Sequence, residues 1–177
     1  MERLNQDALV KAVYDATAEV FSTMLGLSPE VGASYREENP PGPAEGVVSL
    51  IGLAGTWAGT GSVSCSAPFA CRLSSQLLMS EFSAVDSEVL DAVAELTNMI
   101  IGNVKTALEA DLGPMGLSIP TVVFGKNFTT RNAGNGSWLV VPFHCEGERM
   151  EVRICLAPSR KDRSSRPGFS HPYALQG

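Results

Sequence analysis

The sequence is poor in cysteine and histidine, the residue types that form most zinc sites. Its 177 residues include four cysteines and two histidines. No two cysteines form a C-x-x-C pair, and His144 and His171 belong to no cluster, so a metal site is not expected. A secretory signal is also lacking, because the opening MERLNQDALVKAV has no apolar segment behind a basic one. We therefore expect reduced, mostly buried thiols and a cytoplasmic protein.

Long apolar runs and a surplus of basic residues are absent too. No segment reaches the roughly 20 apolar residues that cross a bilayer, and the run 47–58 is interrupted by Gly52 and Gly55. The formal net charge is −6, whereas nucleic-acid binding needs Lys and Arg concentrated on one face. These features argue against membrane insertion and nucleic-acid binding. They favour protein or small-molecule partners.

The composition is that of a folded domain followed by a tail. Hydrophobic residues make up 44% and charged residues 18% of the chain, as in compact proteins, and the length suits one domain. After residue 157 the periodicity ends and basic residues gather among Ser, Pro and Gly. We expect one domain over residues 1–157 and a solvated basic tail over 158–177, with a docking role for the tail as the alternative.

Three segments have apolar residues at helical spacing. The first ends before Gly26, which suits a left-handed C-cap. Pro68 suits the first position of the second helix, and Asp86 or Ser87 can cap the third. The predicted helices span residues 5–25, 68–79 and about 87–112.

Most of the remaining chain has β patterns. The stretch NPPGPAEG at 39–46 contains three prolines and is predicted as a loop. The runs 47–54 and 57–66 predict a hairpin of small residues that lets helices pack closely, and Gly147 with Glu148 predicts a later turn. Further predicted strands are 31–38, IPTVVFG from 119, GSWLVVPFHC and RMEVRICL. The elements together predict an α+β fold with helices packed on a mainly antiparallel sheet.

The third predicted helix has two contrasting sides. At about 100° per residue, its core side carries Val89, Val93, Leu96, Ile100, Val104 and Ala107. A narrow stripe opposite the core carries Asp91, Glu95, Asn98, Gly102 and Lys105. A solvated face would explain the charges, but a helix-interior glycine costs about 1 kcal/mol relative to alanine. With Met99 and Ala92 flanking the stripe, a contact site for another molecule is the second interpretation, and Gly102 would provide clearance.

The stripe and its surroundings resemble a known family. Asp91, Glu95 and Asn98, with Pro120 about twenty residues further on, resemble the motif of the CheC, CheX and FliY chemotaxis phosphatases, and CheX in particular. The resemblance covers residues 5–156. It extends to segments that are similar to CheX segments in the same order: VFSTMLGL, GLAGTWAGT, ELTNMIIGNVKTAL and LSIPTVVFGK.

The resemblance implies a phosphatase that acts on the aspartyl phosphate of a CheY-type response regulator. Asn98 would orient the attacking water, and Glu95 would pair with the regulator's active-site lysine. The Mg²⁺ ion would belong to the regulator, so the chain would need no cofactor of its own. An alternative is a non-catalytic adaptor that docks a receiver domain or another signalling protein. The implied partner contacts are Asp91, Met99, Gly102, Lys105 and Pro120, although Pro120 also suits a simple strand entry.

The first helix repeats the spacing of the stripe with Asp15, Glu19, Ser22 and Gly26. Ser22 stands where the stripe has its amide, and a hydroxyl with one donor cannot mimic both ends of a carboxamide. We therefore expect a single catalytic site.

The late strands carry apolar residues on both faces, whereas one helical layer covers one face of a sheet. We expect a homodimer, because the proteins of the CheX family that this chain resembles form dimers through their sheets. The alternative is a monomer whose tail, from Pro158 onward, covers the same surface.

Overall fold

The structure is a computed structural model, and it describes residues 5–38, 44–129 and 137–159. Within these residues, three α-helices pack against one face of an eight-stranded antiparallel sheet. The predicted fold class is therefore confirmed. The helices are α1 (Gln6–Val20), α2 (Ala67–Leu78) and α3 (Ser87–Leu112). The strands are β1 (Glu30–Val31), β2 (Tyr35–Glu37), β3 (Ala44–Gly55), β4 (Trp57–Cys65), β5 (Met115–Leu117), β6 (Thr121–Phe128), β7 (Trp138–Cys145) and β8 (Glu148–Pro158).

Each edge of the sheet is formed by two strands in succession. The order is β1–β7–β8–β4–β3–β5, with β2 also pairing with β7 and β6 also pairing with β3. The predicted strand 31–38 is thus two pieces on one edge. The predicted hairpin is confirmed, because β3 and β4 pair antiparallel from Val47↔Cys65 to Leu53↔Gly59.

Two strand predictions were incomplete because they depend on distant pairing. Residues 44–46 were predicted as loop, but they begin β3, where Glu45 pairs with Lys126 and Gly46 with Gly125. Strand β5 was not predicted, and it forms because Met115–Leu117 pairs with the end of β3. The rest of the predicted loop, residues 39–43, lies outside the described residues.

The predicted helix and turn boundaries needed small corrections. Ala67, not Pro68, is the first residue of α2, because the Ser66 side chain accepts a hydrogen bond from the Phe69 N–H at 3.2 Å and is the N-cap. The last hairpin turns at Glu146 and Gly147, whose φ values are +51° and +79°. Two successive positive φ values are typical of a tight hairpin turn, and Glu148 already pairs with Cys145.

The first helix ends in a wider turn than the sequence predicted. Residues Phe21–Leu25 form a π-helical turn that continues α1. Gly26 follows with φ +66° as the left-handed C-cap, which confirms that prediction. A π turn inside or after an α-helix is rare and often occurs at functional sites.

The long helix α3 lies against both of the other helices and the sheet. Val89, Val93, Leu96, Ile100 and Val104 are buried as predicted, but Ala107 is exposed. The buried side shifts around the helix axis towards the carboxyl end, where residues spaced by four continue it. These are Leu108 and Leu112.

The predicted glycine-assisted packing is visible where α3 crosses β4. A Cβ atom at Gly61 would lie 2.8 Å from the Cδ1 and Cγ2 atoms of Ile101. Ile101 is fully buried, so its side chain has no space to withdraw. The absent side chain at Gly61 therefore sets how closely α3 approaches the sheet.

The four cysteines are all buried, which confirms the predicted burial, and none of them is in a disulfide in the structure. Burial raises the pKa of Cys65 to about 12, so this thiol stays protonated. None of the described helices has the length and apolar character needed to cross a lipid bilayer.

The last strand reaches into the predicted tail. Strand β8 includes Pro158, and the Ser159 N–H donates to the Thr56 carbonyl oxygen at 2.9 Å. The rest of the predicted tail, residues 160–177, lies outside the described residues.

Candidate functional site

The predicted stripe lies on an accessible side of α3, and its Gly102 and Lys105 end lies beside β5. Asp91 and Glu95 are exposed, while Asn98, Gly102 and Lys105 are half-buried. Asp86 is the N-cap of α3, because its Oδ1 accepts a hydrogen bond from the Val89 N–H at 2.9 Å. At 1.5 Å per residue the stripe is about 20 Å long. The structure thus puts the four side chains and Gly102 on one helix.

Glu95 and Asn98 are free to bind another molecule. In the described part of the chain, neither side chain makes a hydrogen bond or an ion pair. They are three residues apart on the helix, which puts their Cβ atoms about 5–6 Å from each other. A carboxylate acceptor and a carboxamide, which both donates and accepts, are therefore presented together.

Lys105 has a partner of its own. Its Nζ lies 2.7 Å from Glu109 Oε1, and the same oxygen accepts a hydrogen bond from the Met115 N–H at 2.9 Å. The hydrogen bond from Lys105 is the main reason that the pKa of Glu109 is lowered. Lys105 thus helps to fasten α3 to β5, and its predicted contact with a partner remains a prediction.

Gly102 is not required by packing within the described residues. A Cβ atom there would lie 3.7 Å from the Leu117 Cδ1 atom, which is an ordinary van der Waals distance. This differs from Gly61, where a Cβ atom would collide with Ile101. The helix therefore carries the cost of Gly102 without a structural need that its own contacts reveal.

Pro120 lies in the break between β5 and β6, directly before Thr121. The break begins after Leu117, the residue nearest to Gly102, and Ser118 anchors it by hydrogen bonds with Gly52 at 2.8 and 2.9 Å. This position suits a proline at the entry to a strand. It also lies on the edge of the sheet that is next to the stripe.

The related spacing on α1 is engaged within the chain. Asp15 pairs with Lys11, and the Ser22 hydroxyl donates to the Glu19 carbonyl oxygen at 3.1 Å. The Glu19 carboxylate accepts from Asn103 Nδ2 at 3.4 Å. These contacts support the prediction of a single site, on α3.

A groove beside the stripe was not predicted. It is a cavity of about 580 Å³ between α2, α3 and the π turn, and it was missed because three segments distant in sequence build it. The one sequence signal was the apolar pair Ala92 and Met99 beside the stripe. We call it the acidic groove, and its lining residues are Met24, Leu77, Leu78, Glu88, Asp91, Ala92, Glu95 and Met99.

The densest charge network lies on the other face of the sheet. Arg153 pairs with Glu37 at 2.7 Å and with Glu151 at 2.6 Å. Burial raises the pKa of Glu151, but hydrogen bonds from Arg153 and Arg149 outweigh it, and the pKa is lowered. The network is separated from α3 by the sheet. Among the described residues, no group of three or more His, Cys, Asp or Glu side chains is arranged to hold a metal ion.

Comparison with protein families gives a match over the middle of the chain. The model of the family described as "Chemotaxis phosphatase CheX" matches residues 47–144. The match includes α3, its stripe and Pro120.

Individual relatives agree with this match. The CheY-P phosphatase CheX of Thermotoga maritima is 28% identical over 129 residues, which are 72% of this chain and 80% of that protein. The crystal structure of CheX from Desulfovibrio desulfuricans has a TM-score of 0.75 and 28% identity, covering 84% of this chain and 99% of that one. In the CheX–CheY–BeF₃–Mg²⁺ complex from Borrelia burgdorferi, the similar chain has a TM-score of 0.72 and 26% identity, with 87% of this chain and 99% of that one covered.

Proposed function

The chain belongs to the CheX family of chemotaxis phosphatases, and we propose that it hydrolyses the aspartyl phosphate of a CheY-type response regulator. A relative named CheY-P phosphatase CheX and a complex of a CheX with CheY support this reaction and this partner. The observation that carries the proposal is the pair Glu95 and Asn98, which is presented on one stripe without partners among the described residues.

Asn98 is proposed to position the attacking water. Phosphoryl transfer passes through a loose transition state, so catalysis depends on positioning and charge stabilisation. The carboxamide oxygen of Asn98 accepts a hydrogen bond from the water and directs its oxygen at phosphorus. The new bond joins water oxygen to phosphorus, the bond from phosphorus to the aspartyl oxygen breaks, and the carboxylate leaves. The water proton passes to solvent or to the phosphate.

Glu95 is proposed to set the register between the two proteins. Its exposed carboxylate would pair with the regulator's active-site lysine by a charge-assisted hydrogen bond. The Mg²⁺ ion is assigned to the regulator, where it would neutralise charge on the phosphoryl group. Asp91, Met99, Gly102 and Pro120 would contact the regulator around this pair, with Lys105 contributing at the end of the stripe. The proposed location is the cytoplasm, in line with buried thiols outside disulfides.

Alanine substitution separates the two proposed roles. Asn98→Ala should lower kcat for dephosphorylation about a hundredfold or more, because a group that acts in the transition state is lost. Its Kd for the regulator should change less than about threefold, because the water makes little contribution to docking. Glu95→Ala should raise Kd about tenfold and also slow the reaction.

The measurements are loss of phosphate from a phosphorylated receiver and titration with a beryllofluoride-treated one. Asp111→Ala is the matched control, an exposed carboxylate on the same helix, about 24 Å from Glu95 along the axis. Equal rates for the wild type and Asn98→Ala would remove Asn98 from the mechanism.

Gly102→Ala should stabilise the fold and weaken the function. The free energy of unfolding should rise by up to about 1 kcal/mol, because the added methyl group fits beside Leu117. The same methyl group would occupy space needed by the regulator, so kcat/KM should fall about tenfold.

Gly61→Ala is the comparison of opposite sign for Gly102→Ala. Its methyl group meets Ile101 at 2.8 Å, so it should lose about 1–3 kcal/mol of stability, and a shift of α3 that relieves this contact should also lower turnover. Denaturant unfolding and steady-state kinetics give both quantities. A stabilised Gly102→Ala variant with wild-type kcat/KM would show that clearance plays no part.

The chain is also proposed to form a homodimer through the sheet face that carries none of the described helices. Trp138, Val140 and Cys155 form a small cluster on that face that is already buried within the chain, and the described helices pack on the other face. In a two-fold dimer of this kind both α3 stripes stay outside. Light scattering at micromolar concentration should give twice the chain mass of 18.7 kDa. A mass near that of one chain would refute the dimer.

A further inference from the structure

The acidic groove continues from the stripe away from Asn98. Asp91 and Glu95 belong to both, Met99 flanks the stripe, and the groove extends from them towards the end of α2 and the π turn. A protein that approached Glu95 with a surface wider than one side chain would therefore also cover the groove. Its volume of about 580 Å³ exceeds the space of one side chain, so it could receive a protruding element of a partner.

Exposed apolar side chains line the groove and continue directly beside it. Met24 and Leu78 line it and are each 44% exposed, and Met79, which directly follows Leu78, is 93% exposed. These are three of the eight large hydrophobic residues that are exposed among the described residues. Methionine is flexible and polarisable, and it is common at surfaces that adapt to a protein partner.

Met79 and Met24 have backbone conformations that are uncommon at the end of an α-helix. Met79 is the C-cap of α2 and adopts a left-handed conformation with φ +52°, a position that normally takes Gly or Asn because other residues are strained there by about 1–2 kcal/mol. Met24 lies in the π turn, which is a rare conformation that often occurs at functional sites. Both features present a methionine beside the groove without a gain in buried core.

The charge of the groove has one sign. Glu88, Asp91 and Glu95 line it, and no Lys or Arg is among the lining residues. A partner element with a basic side chain would be attracted, whereas an acidic one would be repelled. The combination fits an element that carries an aliphatic or aromatic side chain next to a Lys or Arg.

We propose that the acidic groove binds the response regulator itself, through an apolar and basic element beside its phosphorylation site, and so determines which regulator the chain accepts. This inference rests on the proposed function, because the groove adjoins the proposed catalytic pair. It assigns affinity and selectivity to Met24, Met79 and Glu88, none of which has a part in the chemistry.

The apolar part is tested with Met24→Gln and Met79→Gly in the full chain. Each should raise the Kd for a beryllofluoride-treated receiver about fivefold or more and leave kcat at saturating receiver unchanged. Both positions are exposed, and glycine relieves the positive φ at residue 79, so folding is not threatened. Val31→Gln is the matched control, because Val31 is 46% exposed on β1 and does not line the groove. Values of Kd within twofold of the wild type for both groove variants would overturn the proposal.

The charge part is tested with Glu88→Lys. It should raise Kd about tenfold at low salt, and the difference should shrink as salt screens the charges. Glu30→Lys is the control, since Glu30 is equally acidic and exposed on β1. Tighter binding by Glu88→Lys would mean that the partner element is acidic, and it would overturn the proposal.

Measuring Kd and dephosphorylation in the same samples distinguishes the possible failures. A wild type that dephosphorylates the receiver, with groove variants that bind like the wild type, rejects the groove and keeps the proposed function. A wild type that binds without dephosphorylating, with groove variants that bind weakly, rejects the function and keeps the groove. The chain's own basic tail is the rival occupant. If Arg163→Glu with Arg166→Glu tightened receiver binding and cancelled the effect of Met24→Gln, the groove would belong to the tail.

Discussion

The close contact between α3 and the sheet fixes the position of the helix that carries the proposed site. Gly61 on β4 has no side chain, and the buried side chain of Ile101 fills the space that a Cβ atom would need. The helix is held on one side by the sheet and on its flanks by α1 and α2. A helix fixed so firmly cannot rotate, and the stripe opposite its core therefore has one orientation. This rigidity suits a reaction that depends on positioning.

The proposed site contains no nucleophile and needs none. The regulator already carries the activated phosphoryl group, and what remains is to direct a water and hold two proteins in register. Asn98 and Glu95 are suited to these two tasks because neither is engaged by another described side chain. In contrast, Lys105 is held by Glu109, and the related carboxylate of Glu19 is held by Asn103. The pair that stays unengaged among the described residues is the one that we assign to the regulator.

The features predicted from sequence were those that depend on neighbouring residues. The cap at Asp86 and the left-handed Gly26 follow from local backbone chemistry, and so does the stripe, because helical periodicity is a short-range property. The missed features need residues that are far apart in sequence. Ala44 joins a strand because it pairs with a residue about eighty positions later. The Glu109 side chain accepts a hydrogen bond from β5. The groove is formed where Met24 lies beside α2 and α3. A single sequence carries no direct signal for such contacts.

The central claim is that this chain removes the phosphoryl group and does not merely bind the regulator. The direct test is to mix a phosphorylated receiver with the wild-type chain at a tenth of its concentration and to follow the phosphate that remains. If the chain is a phosphatase, all of the phosphate should be lost, which requires several turnovers per chain. The initial rate should be proportional to the chain concentration. Tight binding of the phosphorylated receiver with an unchanged lifetime of its acyl phosphate would contradict phosphatase activity and identify the chain as an adaptor.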